Sequence, residues 1–127
     1  MKRTFPILLS LVIAACAPIH QRGQASWYGP GFAGRTTASG VPFRPWKRTA
    51  AHKELPFGTV VRVTRIDNGR SVRVVINDRG PYVDDRIIDL SRRAARRLNM
   101  LDVGVSAVEI SILGCRKNYG RYGNRCE

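Results

Sequence analysis

The sequence predicts a small, mainly β domain, and three observations carry this prediction. The chain has 127 residues, which is room for one domain. Several short β-branched or alternating segments are separated by turns rich in Gly, Asn and Pro. A single segment, which begins at Ser91, has the spacing of an amphipathic helix. Many short strands with one or two short helices suit a closed barrel of about six strands.

The individual elements follow from the local pattern. Residues 59–66 and 71–76 are predicted to form a hairpin, because Asn68 and Gly69 between them favour a tight turn. Ser91 is the expected N-cap of a helix that ends near residue 99. Three further strands are expected at residues 24–28, 87–90 and 106–113, the last alternating between apolar and small or polar side chains.

The N-terminus has the pattern of an export signal. Lys2 and Arg3 precede an apolar stretch of 11 residues, shorter than the ~20 needed to cross a bilayer, so residues 1–15 are predicted to be a signal peptide. The small residues before Cys16 match a bacterial lipobox, in which the cysteine is lipidated. Residues 16–23 would then be a lipidated tether. The alternative is an ordinary secretory signal with a coincidental cysteine.

The other two cysteines are expected to pair. With Cys16 lipidated, Cys115 and Cys126 remain, and a disulfide between them in an oxidising compartment stabilises the fold by about 2–3 kcal/mol. Residues 114–127 are therefore predicted to be a disulfide-linked tail, with two free thiols as the alternative. Two Cys and two distant His lack metal-ligand spacing, so neither a metal nor a cofactor is predicted.

The strong positive charge limits the possible partners. The chain carries a formal charge of +13, which attracts polyanions. The sequence has no nucleic-acid-binding motif, and an exported protein does not routinely meet nucleic acid. The expected anions are stem-peptide carboxylates of peptidoglycan and membrane headgroups. The alternative is that the arginines only form a solvated surface.

One carboxylate, Asp78, stands out as a candidate for acid/base chemistry. An apolar strand-like run, residues 74–76, leads to Asn77 and Asp78, and Gly80-Pro81 then forces the backbone to turn. A carboxylate at the end of a rigid strand is well placed for proton transfer. The alternative is that Asp78 only accepts hydrogen bonds from its own turn.

Five segments in a fixed order resemble the rare lipoprotein A (RlpA) family. Asp78 lies in the last of these segments, which are residues 25–31, 37–40, 49–52, 55–59 and 77–81. Members of this family are bacterial cell-wall lytic transglycosylases built on a double-psi β-barrel, which is related to the catalytic-like domain of expansins. The resemblance covers residues 24–113 and implies that this segment is a six-stranded double-psi β-barrel domain.

The resemblance implies a reaction and two catalytic residues. The bond between N-acetylmuramic acid and N-acetylglucosamine is cleaved without water, leaving a 1,6-anhydro end. Asp78 would first give a proton and later accept one. His52 would orient the carboxylate or hold a sugar hydroxyl, with a core histidine as the alternative. An inward guanidinium would hold the acid ionised, so Arg79 is expected to point towards an acidic partner, namely Asp84, Asp85 or Asp89.

Substrate contacts are expected from the same motifs. Trp27 and Tyr28 are candidates for stacking against sugar rings, and because adjacent strand residues face opposite sides, Tyr28 is assigned to the groove. Their alternative role is to fill the barrel. Ser39, Asn77 and Arg79 are the other predicted substrate-binding residues.

Position 41 departs from the family pattern. Family members commonly have a catalytic Glu after Thr-Ala-Ser-Gly, whereas this chain has Val41, which cannot transfer a proton. Glu54 is the nearby residue that could substitute. Three hypotheses follow: a transglycosylase, an expansin-like module that binds glycan without cutting it, and a structural lipoprotein. In each, the expected protein is a monomer, lipid-anchored at the periplasmic face of a bacterial membrane. Ala17, after Cys16, favours the outer membrane.

Overall fold

The computed structural model describes residues 17–83, 85–121 and 125–126. It confirms a mainly β fold with six strands and a single short helix in the described part of the chain. In chain order these elements are β1 (Ile19–Trp27), β2 (Thr49–His52), β3 (Thr59–Arg65), β4 (Ser71–Asp78), β5 (Arg86–Leu90), α1 (Arg92–Arg97) and β6 (Ser106–Cys115). The predicted signal peptide and Cys16 lie outside the described residues.

The six strands close into a barrel in the order β1-β5-β2-β4-β3-β6. The pairs β1–β5 and β2–β4 are parallel, and the other four pairs are antiparallel. The mixed six-stranded closure is that of a double-psi β-barrel, as the family resemblance implies. Every strand has a hydrogen-bonded neighbour on both sides, so the barrel has no free edge. Short β2 (Thr49–His52) lies between β5 and β4, and no strand was predicted there.

Strand β1 begins earlier than predicted. It pairs with β6 from Ile19 opposite Ser111 to Ala25 opposite Ser106, so residues 19–23 are part of the barrel wall and not a tether. This part of β1 is polar and has no alternating pattern in its sequence. Main-chain hydrogen bonds to β6 form whatever the side chains are, and that contribution is not visible in a hydrophobicity pattern.

The barrel interior is filled by β-branched and Leu side chains from alternate strand positions. The fully buried large side chains of the strands are Val61, Val63, Val74, Ile76, Ile88, Leu90, Val108 and Ile110. Helix α1 packs Ala94 and Ala95 against this core, and Leu98 after the helix is also fully buried. Ser91 is the N-cap, as predicted, because its Oγ accepts a hydrogen bond from the N–H of Ala94 at 3.3 Å.

The C-terminal tail is tied back to the end of β6. Cys115 and Cys126 form a disulfide across 11 positions of sequence. The bridge lies against Gly58, where an added Cβ would come within 3.0 Å of the Cys126 sulfur and 2.6 Å of the Arg116 carbonyl oxygen. In the described part of the chain, no helix has the length and apolar character to cross a bilayer.

Candidate functional site

Four neighbouring strands place two carboxylates on one face of the barrel wall. In the strand register, Ser26 of β1 lies opposite Asp89 of β5, Asp89 opposite Ala51 of β2, and Ala51 opposite Asp78 of β4. Partners in register project their side chains from the same face of a sheet. Asp78 and Asp89 therefore face the same side, separated by the small side chain of Ala51.

These two carboxylates line a pocket of about 400 Å³, the acidic pocket, whose wall also includes Arg79 and Arg86. Aromatic side chains form much of the rest of its wall, namely Trp27, Tyr28, Phe32 and Tyr82. Tyr82 is 77% exposed and Phe32 is 41% exposed, so flat apolar surfaces are presented to solvent beside the carboxylates. A pocket with aromatic faces and a few polar groups is suited to a sugar, which has both apolar faces and hydroxyl groups.

Three hydrogen bonds fix the carboxylate of Asp78. Its Oδ2 accepts a bond from the Tyr28 hydroxyl at 2.6 Å. Its Oδ1 accepts bonds from the backbone N–H groups of Ala38 and Arg79, each at 2.9 Å. The bond from Arg79 comes from the turn of Asp78 itself, which is the type of bond expected if Asp78 had only a structural role. The other two bonds come from segments distant in sequence. Asp78 is thus held in one orientation while it remains part of the pocket wall.

Tyr28 is the residue that joins the aromatic wall to the carboxylate. Its ring stacks on Phe43 at a centroid distance of 4.4 Å and meets the edge of Phe32 at 5.4 Å. Burial, the hydrogen bond to Asp78 and the nearby charges of Asp78 and Asp89 raise the pKa of Tyr28 far above its ordinary value of 10.0. The hydroxyl therefore stays protonated and acts as a donor. Trp27 also lines the pocket, with part of its ring packed against the core.

The side chain of Arg79 points away from the Asp78 carboxylate, but its partners are not the predicted carboxylates. Its Nη1 donates to the carbonyl oxygens of Leu55 at 2.8 Å and His52 at 3.2 Å. The guanidinium lies 4.0 Å from the centroid of the Phe57 ring. Burial lowers the pKa of Arg79.

The expected acidic partners of Arg79 lie elsewhere. Asp89 accepts a hydrogen bond from the Ser26 hydroxyl, Asp85 makes no ion pair with Arg79, and Asp84 lies outside the described residues. The guanidinium of Arg79 packs against residues 52–57. Its partners are therefore backbone carbonyl oxygens and an aromatic ring, and not a carboxylate.

His52 is turned to the opposite face of the barrel wall from Asp78. It lies opposite Ile88, a fully buried core residue, and is itself 3% exposed. Its Nδ1 accepts hydrogen bonds from the N–H groups of Glu54 and Leu55, both at 3.1 Å, so Nε2 carries the proton and donates to Gln21 Oε1 at 2.9 Å. Burial, and then nearby positive charges, lower the pKa of His52 from 6.5 to about 4.

The two proposed catalytic residues are therefore not brought together. Both ring nitrogens of His52 hold the barrel and the following turn, which is the arrangement of a core histidine. The structure leaves Asp78 with Tyr28, and not with an imidazole, as its nearest polar side-chain partner.

Ser39 and Asn77 position the loop that carries Ala38. Ser39 is fully buried, with its Oγ 2.8 Å from Thr37 Oγ1, and its N–H donates to the Asn77 carbonyl at 3.2 Å. Asn77 is 3% exposed, and its Nδ2 donates to the Tyr119 hydroxyl at 3.4 Å. These contacts keep the Ala38 N–H directed at Asp78.

Two other carboxylate candidates differ in position. Glu54 is exposed and does not line the acidic pocket, whereas Asp89 does. Sequence reasoning treated Asp89 only as a partner for Arg79. The signal that could have found it is its place in Ile88-Asp89-Leu90, where a lone carboxylate alternates with two core residues and must face outward.

Val41 lines a second, larger groove of about 720 Å³. Asn77 lines this groove too, while the next residue, Asp78, lines the acidic pocket. The described residues contain no cluster of three or more His, Cys, Asp or Glu side chains that could hold a metal ion.

Known proteins match both the sequence and the fold. The family model described as lytic transglycolase matches residues 20–110. The chain is 56% identical over 104 residues to a probable endolytic peptidoglycan transglycosylase RlpA of Nostoc sp., covering 80% of this chain and 28% of that protein. It is 48% identical over 92 residues to the endolytic peptidoglycan transglycosylase RlpA of Campylobacter jejuni, covering 72% of this chain and 34% of the relative. The chain thus spans about a third or less of the length of these relatives.

Solved structures support the fold assignment. A Streptomyces papain inhibitor superposes with a TM-score of 0.59 at 27% identity, over 78% of this chain and all of the inhibitor. An expansin of Clavibacter michiganensis superposes with a TM-score of 0.57 at 24% identity, over 78% of this chain and 52% of the expansin. The family-model match over residues 20–110 and the identity to the RlpA relatives show that the chain belongs to the lytic transglycolase family of double-psi β-barrels, as its resemblance to rare lipoprotein A indicated.

Proposed function

We propose that the chain is an endolytic lytic transglycosylase that cleaves peptidoglycan glycan strands to 1,6-anhydro ends during cell-wall remodelling or division. The observation that carries this proposal is the Asp78 carboxyl group, fixed by three hydrogen bonds in the wall of an open, aromatic-lined pocket. The names and sequence identity of the RlpA relatives support the same reaction and the same polymer.

In the proposed reaction, one carboxyl group serves both proton transfers. The protonated Asp78 gives its proton to the glycosidic oxygen as the bond to C1 of the muramic sugar breaks. The C6 hydroxyl of that sugar then attacks C1, and its proton passes to the Asp78 carboxylate, which restores the starting state. No water is consumed, and both fragments leave the pocket.

The surrounding residues orient this carboxyl group without exchanging protons. Tyr28 stays protonated and holds Oδ2, while the Ala38 and Arg79 N–H groups hold Oδ1. The guanidinium of Arg79 donates to backbone carbonyls and not to the Asp78 carboxylate. The exposed faces of Phe32 and Tyr82 offer stacking surfaces for the sugars on either side of the bond.

A second candidate is an expansin-like protein that binds glycan strands without cutting them. Val41 favours this candidate, because an apolar side chain stands where relatives commonly have a catalytic Glu. Asp89 favours cleavage, since it supplies a second carboxylate in the acidic pocket. The two candidates share a substrate and differ in whether fragments form.

We also propose that the chain is exported and lipid-anchored as a monomer at the periplasmic face of a bacterial membrane, with the outer membrane favoured by Ala17. The lipobox before Cys16 supports the anchor, and the Cys115–Cys126 disulfide is typical of an oxidising compartment. Growth on radiolabelled palmitate tests the anchor, because a Cys16→Ser chain should lose the label.

Activity is tested with the full-length chain purified in detergent. Wall sacculi and peptide-free glycan strands are incubated with it, and anhydro-ended fragments are measured by mass spectrometry. The normal chain should produce them, and Asp78→Asn should not. Asp102→Asn is a matched control at an exposed carboxylate outside the pocket. If the chain binds glycan but releases no fragments, the expansin-like candidate is supported. If it shows neither binding nor fragments, the structural lipoprotein is supported.

A further inference from the structure

The larger groove has a strongly cationic lining. Seven Lys and Arg side chains contribute to its wall, and in the described part of the chain that wall includes no Asp or Glu. Three of these cations come from separate elements: Arg73 from β4, Arg93 from α1, and Arg116 just after β6. A groove with walls of one charge concentrates its field and favours anionic ligands.

Three of the guanidinium groups in the groove wall contact neighbouring groups. Arg93 Nη1 donates to the carbonyl oxygen of Trp46 at 3.1 Å, and the Arg116 guanidinium lies 5.9 Å from the centroid of the Tyr119 ring. Arg44, also in the groove wall, lies 5.8 Å from the Trp46 ring centroid. None of these three contacts neutralises the charge, so the cations remain available to a bound anion.

The positive charge of the groove works against folding stability. Arg73 lies directly opposite Arg62 in the antiparallel register of β3 and β4, where like charges destabilise a sheet. The ion pairs between described residues join Arg22 to Glu109 and Arg65 to Asp67, and they involve no groove residue. A bound carboxylate would relieve this repulsion.

The groove adjoins the acidic pocket at the end of β4. Asn77 lines the groove, and Asp78 lines the pocket. Val41 in the groove belongs to the same loop as Ala38, whose N–H holds Asp78. Trp46, which is 58% exposed, adds an aromatic face beside the cations. The sugars of a polymer that extends from Asp78 into the groove would therefore contact Lys and Arg side chains and the ring of Trp46.

We propose that this groove binds the carboxylates borne by the muramic sugars of a glycan strand. Their binding would position the strand so that a glycosidic bond lies at Asp78. This inference rests on the proposed function for the identity of the polymer. Such carboxylates have two sources: the lactyl group of a sugar stripped of its peptide, and the stem peptide of an unstripped one. Both place anions at a regular spacing along the strand, which suits several cations better than a single one.

The test measures binding, not cleavage, with the full-length chain carrying Asp78→Asn. The probes are peptide-free glycan strands, the same strands with their carboxyl groups converted to methylamides, and strands with intact stems. In this background, Arg73→Gln, Arg93→Gln and Arg116→Gln are combined. The matched control combines Arg92→Gln, Arg96→Gln and Arg97→Gln, which remove the same charge from exposed positions of α1 outside the groove. Circular dichroism verifies that each variant is folded.

The groove variant should bind charged strands about tenfold more weakly, with less than a twofold change for the α1 control. Methylamidation should weaken the parent by a similar factor and leave the groove variant unaffected. Tighter binding of stripped strands assigns the anion to the lactyl group, and tighter binding of unstripped strands assigns it to the stem.

Equal losses in the two triple variants, or equal affinity for methylamidated strands, would overturn the groove proposal. Because these measurements need no turnover, a chain that produces no anhydro ends would refute the proposed activity without affecting this result.

Discussion

The Tyr28 hydroxyl lies 2.6 Å from Asp78 Oδ2, and the two residues come from strands β1 and β4 or their immediate ends, 50 positions apart in sequence. The ring of Tyr28 is fixed by stacking on Phe43, so the hydroxyl has little freedom to leave the carboxylate. The Asp78 carboxyl group is therefore positioned by a phenol whose proton does not titrate in the physiological range.

Removing this hydroxyl should slow cleavage without unfolding the chain. We expect Tyr28→Phe to lower kcat by about tenfold to a hundredfold, the range for a lost hydrogen bond to a charged group, while stacking on Phe43 is kept. Release of anhydro-ended fragments measures the effect. Tyr82→Phe, which removes a hydroxyl from the same pocket without touching Asp78, should have a smaller effect. Equal losses would argue against a special role for Tyr28.

Restoring the family carboxylate should increase cleavage. We expect Val41→Glu to raise the rate by about a hundredfold, the lower range for a positioned general acid or base. Surrounding Lys and Arg residues favour the ionised form of the new side chain. Val41→Gln has the same shape without the charge and is the control. An unchanged rate in Val41→Glu would show that Asp78 does not need that group.

Acid should destabilise the fold through His52. Its folded pKa of about 4 lies below the ordinary 6.5, so the unfolded chain takes up the proton first as pH falls. The contribution of neutral His52 to the free energy of unfolding is fully present above pH 6.5. It is lost as pH falls to about 4, and the loss is about 3 kcal/mol. Urea unfolding across this range should be less pH-dependent in His52→Gln. Identical pH profiles would contradict the assignment.

A methyl group at Gly58 should destabilise the chain strongly. The residue has φ of +93°, and an added Cβ would lie 2.6 Å from the Arg116 carbonyl oxygen, which is backbone and cannot move aside freely. We expect Gly58→Ala to lower the free energy of unfolding by about 3 kcal/mol or more. Gly69 also has a positive φ, but an added Cβ there would meet open space. We expect Gly69→Ala to lower the free energy of unfolding by about 1–2 kcal/mol. Urea unfolding under oxidising conditions compares the two.

Much of the wall of the barrel was predictable from the sequence. The hairpin of β3 and β4, the Ser91 cap and the closing strand β6 carry strong local signals, namely alternation, an Asn-Gly turn and a capping side chain. Strand β2 and the first half of β1 carry none, because their place is decided by main-chain pairing with distant strands. Only the family resemblance indicated how the strands connect.

The sequence selected candidate side chains for the site but did not predict their geometry. Motifs identified Asp78 and Tyr28, and the structure places them in contact. The same motifs also identified His52, whose direction depends on strand register, and a shift of one position reverses the face of a side chain. The alternation in β5 indicates that Asp89 faces outward, but its position beside Asp78 depends on which strands meet. The convergence of Arg73, Arg93 and Arg116 likewise depends on tertiary contacts that no local pattern reveals.

If Cys16 carries a lipid, the early start of β1 limits how far the protein can reach from the membrane. Only Ala17 and Pro18 lie between Cys16 and the strand, so a lipid on Cys16 would leave a gap of no more than about 10 Å to the barrel. The nine residues of β1 then rise at most about 30 Å to Trp27, beside the acidic pocket. An anchored molecule would therefore stand on one end of this strand and present its cleft about 40 Å above the bilayer surface at most. Glycan strands farther out than this would escape it.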